Sequence, residues 1–303
     1  MRILFFGTPE FAACSLQRII DQGFQVVGVV TAPDKPAGRG LTVRESAVKQ
    51  VAVAAGIPVL QPVNLKAPEF HEQLLNLAPD LGVVIAFRML PLSVWSLPPL
   101  GTFNLHASLL PDYRGAAPIN RALMDGAKTT GVTTFFLKHE IDTGDILLQE
   151  SLAVGEEEDA GSLYQRLMLL GADLVIRTLE GIQQNKLKPI PQVAHGPLHT
   201  APKIFPEDCR INFEQTCAAV HNHVRGLAPA PGATTIFQDR QVKILACRPL
   251  PEIHLEAGKW QKIEHHRVLV GCKEGAIEIL QLQPEGKKRM SASDFANGWM
   301  KDV

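Results

Sequence analysis

The 303 residues are 46% apolar and 20% charged with a net charge of −1, ordinary values for a globular chain of two medium domains or one large one. Five cysteines, at positions 14, 209, 217, 247 and 272, are odd in number and include no C-x-x-C pair, which argues against a disulfide framework or a zinc site and for a reducing compartment. The opening apolar run stops at Gly7-Thr8-Pro9, too short for a signal peptide, and no stretch approaches the length of a membrane helix, so a cytoplasmic protein without a membrane partner is expected.

Residues 2–6, an arginine followed by four apolar residues, predict a first strand, and residues 10–22 place Phe11, Leu16, Ile19 and Ile20 at helical spacing. Residues 25–31 read as a second buried strand, 44–55 as a helix, 80–87 as a third strand and 101–105 as a fourth. Strands that are apolar throughout and alternate with helices predict an α/β fold, a Rossmann-like, mostly parallel sheet with helices on both faces. Two further strands are expected at 131–137 and 145–151, then a long helix at 162–181. From 183 to 208 five prolines interrupt a polar stretch, and beyond it short β-like runs recur at 234–237, 241–246, 267–270 and 276–282, with a last helix at 291–299. The expected organisation is a catalytic domain over 1–184, a linker over 185–208 and a smaller OB-like β-barrel domain over 209–303. That last part carries 13 Lys and Arg against 10 Asp and Glu and five histidines, while residues 1–208 carry 17 against 21. The imbalance permits nucleic-acid contact, and equally fits an ordinary fluctuation.

The candidate chemistry lies between Asn104 and Asp145. In a strand, residues i and i+2 face one side, so Asn104 and His106 point together near the carboxyl end of a sheet strand, where open α/β sheets place ligands. Asn offers an amide donor, His a group that exchanges a proton near neutral pH, and Asp142, from a later loop, a charge to orient the imidazole. Such a trio suits acyl transfer without a metal or a covalent nucleophile; the alternative is a buried His and Asn satisfying backbone groups. Other signatures fail: Gly7-Thr8-Pro9 is not G-x-G-x-x-G, residues 126–129 lack the P-loop spacing, and His139-Glu140 has no second His at 143. The stretch 31–44, broken by Pro33, Pro36, Gly38 and Gly40, reads as a loop displaying Lys35, Arg39 and Arg44, either to phosphates or merely to solvent.

At Asn104-x-His106-x-Ser108-Leu109-Leu110-Pro111, with Gly131-Val132-Thr133 and Asp142-Thr143-Gly144-Asp145, the chain resembles the folate-dependent formyltransferase family. The resemblance implies a Rossmann-like catalytic sheet, Asn104, His106 and Asp142 as the catalytic trio, and 10-formyltetrahydrofolate as co-substrate, with no metal. It places Ser108, Leu109, Leu110 and Pro111 along the folate site, beside Phe87, Arg88 and Leu90. Where the family usually reads Ala-Tyr-Gly, this chain has Ala86-Phe87-Arg88, so Arg88 is expected to alter the edge of that pocket. Within the family, Phe6-Gly7-Thr8-Pro9-Glu10-Phe11-Ala12, the basic loop 33–40, Tyr113-Arg114-Gly115 and residues 281–291 are similar to the members that formylate methionyl initiator tRNA. The likeness implies that tRNA as partner, Lys35, Arg39 and Arg44 as tRNA-binding residues, and a monomer. Glycinamide ribonucleotide or an amino-sugar nucleotide is the alternative acceptor, and a non-catalytic folate or nucleotide sensor the alternative class. The intact trio argues against a sensor, which has no need to handle protons.

Overall fold

The computed structural model describes residues 1–37, 42–194 and 196–300, with the backbone alone at 35–37 and 42–44. The chain groups into two compact units that alternate along the sequence, the first being 1–114, 130–152 and 165–199, the second 115–129, 153–164 and 200–303.

The first unit opens with β1 (Arg2–Gly7), α1 (Glu10–Asp21) and β2 (Gln25–Val30). Two three-residue strands follow, β3 (Lys35–Ala37) and β4 (Thr42–Arg44), then α2 (Ala47–Ala54), β5 (Val59–Leu60), α3 (Pro68–Leu77), β6 (Leu81–Ile85), α4 (Leu92–Trp95) and β7 (Thr102–His106). Beyond a short strand β8 (Arg114–Gly115) and helix α5 (Pro118–Met124) come β9 (Thr129–Phe136), β10 (Ile146–Ala153) and α6 (Ala160–Gln183). Seven strands make one sheet in the order β10-β9-β7-β6-β1-β2-β5. The pairs β1–β2, β1–β6, β6–β7 and β2–β5 are parallel, and β7–β9 is antiparallel. Ile3, Leu4, Phe5 and Phe6 are all fully buried, so β1 is covered on both faces, as a continuous apolar run requires. One side of the sheet packs Leu4, Phe6, Val30 and Val84 against Phe70, Leu74 and Val94. Helix α2 starts where Ser46 Oγ accepts from Lys49 N at 3.0 Å, a side-chain N-cap.

The stretch 31–44 departs from the expected loop. Strands β3 and β4 pair antiparallel, with Lys35 opposite Arg44 and Pro36 opposite Val43. Proline tolerates the edge of so short a ribbon because its missing N–H can face outward. The neck of this ribbon is tied down: Gln61 Nε2 donates to Ala32 O at 2.9 Å and to Asp34 Oδ1 at 2.8 Å, and Lys49 pairs with Asp34. The Lys49 ammonium, followed by Gln61, holds the Asp34 carboxyl below the usual carboxylate range.

The second unit continues through β11 (Thr200–Ala201), α7 (Cys217–Leu227), β12 (Ala233–Phe237), β13 (Arg240–Leu250), β14 (Trp260–Ile263), β15 (Arg267–Gly271), β16 (Ala276–Pro284), β17 (Met290–Ser291) and α8 (Ala292–Trp299). The short β-runs, read from the sequence as a small OB-like β-barrel, form an antiparallel sheet in the order β12-β13-β16-β15-β14, with β17 on β16. Its core joins Val220, Val224 and Leu227 of α7 to Val242, Ile244, Ile277, Ile279 and Phe295. Helix α7 was not foreseen in the sequence; it is capped by Thr216, whose Oγ1 accepts from Ala219 N at 3.2 Å. No helix among the described residues is long and apolar enough to cross a membrane.

Candidate active site

Strand β7 lies inside the sheet, with Asn104 opposite Val84 of β6 and Phe135 of β9, and His106 opposite Thr133. Asn104 is half-buried and His106 is buried, and their two-residue spacing puts them on one face. His106 Nε2 lies 2.8 Å from the carbonyl oxygen of Tyr113. A carbonyl only accepts, so Nε2 carries a proton and donates it, and Nδ1 is left as the working nitrogen. Nδ1 faces Asp142 Oδ2 at 3.8 Å. That separation is too long for a hydrogen bond but short enough for an ion pair once the ring is protonated.

The turn after β7 is held from below by Thr133. Its hydroxyl donates to Ser108 O at 2.7 Å and accepts from Leu110 N at 3.1 Å and from Gln149 Nε2 at 3.0 Å. The same Gln149 amide donates to Leu110 O at 2.7 Å. Ser108 is fully buried, and its hydroxyl donates to Asp112 O at 2.6 Å inside the turn. Leu110 is also buried, while Leu109 and Pro111 are half-buried and present a face. Of the four residues, the structure therefore gives Ser108 and Leu110 internal partners and leaves Leu109 and Pro111 to the surface of the site.

Asp142 follows β9 in a turn and takes φ +55°, the left-handed region that non-glycine residues seldom enter. Two residues on, a Cβ at Gly144 would lie 1.6 Å from Phe136 O, so the close approach of turn to strand requires glycine. Gln192 Nε2 donates to the carbonyls of Asp142, at 2.9 Å, and Gly144, at 2.8 Å. The Gln192 oxygen accepts from Arg114 Nε at 3.1 Å and Nη2 at 2.6 Å.

The segment after β6 leaves the same carboxyl edge as the segment after β7, since the two strands are parallel. Phe87 is half-buried with its ring 5.9 Å from that of Phe6, and Leu90 is buried. Arg88 is exposed; its guanidinium donates to the carbonyls of Pro62 and Val63 and sits 5.8 Å over the Phe87 ring. The side chain expected to alter the pocket edge is thus engaged with the 62–63 segment. Lys35 and Arg44 are backbone register partners across β3 and β4, on the stretch that carries the expected tRNA contacts, whereas Arg39 lies outside the described residues. Among the described residues, no group of three or more His, Cys, Asp or Glu side chains is arranged to hold a metal ion.

Residues 1–179 match the Formyl transferase family, and residues 203–299 match Formyl transferase, C-terminal domain. The chain is 44% identical over 308 residues to the methionyl-tRNA formyltransferase of Bacteroides fragilis, covering 99% of this chain and 95% of that protein. It is 46% identical over 310 residues to the methionyl-tRNA formyltransferase of Parabacteroides distasonis, covering 99% and 96%. Among solved structures it is similar to HypX from Aquifex aeolicus in complex with tetrahydrofolic acid, at TM-score 0.67 and 21% identity, covering 100% of this chain and spanning about half of that one (48%). It is also similar to WlaRD, a sugar 3N-formyl transferase crystallised with dTDP and 5-N-formyl-THF, at TM-score 0.68 and 19% identity over 95% of this chain and 99% of that one. The structural likenesses speak to the fold; the two matched segments and the near-full-length identities carry the assignment, and on them this chain belongs to the formyl transferase family.

Proposed function

We propose that the protein transfers the formyl group of 10-formyltetrahydrofolate to the amino group of methionyl initiator tRNA for translation initiation, with residues 1–184 as the catalytic domain, 185–208 as linker and 209–303 as a tRNA-binding domain. The acceptor is taken from near-full-length likeness to proteins named methionyl-tRNA formyltransferase. The observation that supports the chemistry is the setting of His106, with one ring nitrogen committed to a backbone carbonyl and the other facing a carboxylate.

Phe87, Leu109 and Pro111 offer flat, partly exposed apolar surface at the carboxyl edge of the sheet, which fits the ring system of a folate. Bound there, the co-substrate supplies the formyl carbon, whose bond to nitrogen breaks as the bond to the methionyl amine forms. Asp142 takes the proton that the attacking ammonium must lose, freeing its lone pair. Asn104 and a protonated His106 Nδ1 donate to the formyl oxygen as negative charge builds there. The attacking nitrogen sheds its second proton to solvent as the amide forms, and the proton collected by Asp142 is returned to the departing nitrogen, so the leaving group is neutral and the site is restored. Lys35, Arg39 and Arg44 grip the tRNA backbone, away from the formyl carbon. The protein works as a cytoplasmic monomer. The deciding experiment offers the folate donor with charged initiator tRNA, glycinamide ribonucleotide and an amino-sugar nucleotide in parallel. Formylation of the tRNA alone is expected; preference for either small amine would refute the acceptor.

A further inference from the structure

We infer that Gln192 is a positioning residue of this site, because its single carboxamide ties together the two backbone segments that hold His106 from either side. The inference rests on the catalytic reading of His106 and Asp142 given above.

A carboxamide has two N–H groups and two acceptor lone pairs. In Gln192 both N–H groups go to the Asp142 turn, to Asp142 O and Gly144 O, and the oxygen takes both bonds from Arg114. Arg114 directly follows Tyr113, whose carbonyl accepts from His106 Nε2. Asp142 carries the oxygen that faces His106 Nδ1. The partner of each ring nitrogen therefore belongs to a segment that ends on Gln192. The strap around Gln192 is fixed on both sides. Ile190 and Ile146 exchange backbone bonds of 2.8 and 2.9 Å. His199 N donates to Asp112 Oδ1 at 2.6 Å, its carbonyl accepts from Tyr113 N at 2.9 Å, and its ring stacks on Tyr113 at 5.1 Å. A residue held that firmly can in turn hold the left-handed backbone of Asp142, a conformation that persists only where surrounding bonds impose it.

Only an amide of this length serves. Gln192→Glu keeps the bond to Arg114 but sets a second oxygen against two carbonyl oxygens, and Gln192→Ala removes all four bonds. Each should lower kcat by about ten- to a hundred-fold, the scale of a catalytic group misplaced by about an ångström, and leave KM for the folate donor and for the tRNA within about two-fold. Folding is followed by circular dichroism; should Gln192→Ala fail to fold, Gln192→Glu, which retains the Arg114 contact, decides. The second measurement is a double-mutant cycle: in an Asp142→Ala background, Gln192→Ala should lower kcat by clearly less than it does in the parent, since the share routed through the Asp142 carboxylate is already lost. Wild-type kcat in folded Gln192→Ala and Gln192→Glu, or a full additive loss in the Asp142→Ala background, overturns the inference and leaves the catalytic reading intact. Wild-type kcat in His106→Ala and Asp142→Ala overturns the reading beneath it, and the inference with it.

Discussion

Gly144→Ala is the sharpest single perturbation of the site. The added Cβ would lie 1.6 Å from Phe136 O, 2.8 Å from Phe136 C and 3.1 Å from Phe135 Cδ2. Ordinary non-bonded contacts are roughly 3.5 Å, so turn and strand must separate by about 2 Å. Phe136 sits in β9, paired with Phe103 inside the sheet, and so the turn is the part that yields. The Gln192 bonds to Asp142 O and Gly144 O then break or shift together. Asp142, now 3.8 Å from His106 Nδ1, moves by a distance comparable to its hydrogen-bonding range. We expect a loss of about a hundred-fold in turnover, and a stability loss of about 1–3 kcal/mol from overpacking. The assay is steady-state formyl transfer to charged tRNA beside a thermal melt. Gly298→Ala is the control: it is exposed on α8, nothing lies within 4 Å of its new Cβ, and it should leave turnover unchanged while gaining about 0.5–1 kcal/mol of helix propensity. A Gly144→Ala protein with normal turnover and an unchanged melting midpoint would refute the argument that this turn positions Asp142.

Asn104→Ala, His106→Ala and Asp142→Ala should each lower turnover by about a hundred-fold or more, the scale of a lost oxyanion donor or acid–base group, with folding retained by circular dichroism. In the second unit, Arg267 binds Glu278 through bonds of 2.7 and 2.9 Å and holds its carboxyl below the usual carboxylate range. A carboxyl depressed in the folded state stabilises above its unfolded pKa of about 4.3 and loses that contribution as pH falls through its folded value. Glu278→Gln should therefore lower the melting midpoint at pH 7, and the gap to the parent should close in acid; a gap independent of pH would contradict the assignment. Arg39→Ala should weaken tRNA binding and reduce the slope of affinity against salt by about one unit, with folate binding by calorimetry unchanged.

The parallel sheet was legible because apolar runs such as residues 3–6 are buried on both faces, a demand that the run of apolar residues itself records. The pairing of Asn104 and His106 was legible because strand periodicity places i and i+2 together. The scaffold around them was less so. Thr133 enters the motif reading only as one residue of a triplet, yet its hydroxyl braces the turn after β7 through two bonds and takes a third from Gln149. Gln192 stands between Pro191 and Val193 in a stretch without periodicity, and long-range partners such as Arg114 and Asp142 leave no local pattern to read. Helix α7 was missed because Thr216 is a modest cap signal, and the apolar side formed by Val220, Val224 and Leu227 is broken up by His221 and His223. The ribbon of β3 and β4 was hidden by Pro36 and the glycines beside it, which mark turns more strongly than three-residue strands mark themselves.

The acceptor for His106 Nε2 is a main-chain oxygen, that of Tyr113. Every residue type possesses that oxygen, so the polarity of the imidazole is inherited from the path of the chain and not from the identity of any side chain. Drift at position 113 can alter the stacking on His199 without exchanging the two ring nitrogens. Reversing them would take a rerouted backbone. The feature that decides which nitrogen works is in that sense shielded from point mutation, while the groups that tune its efficiency, Asp142 and Gln192, stay open to selection.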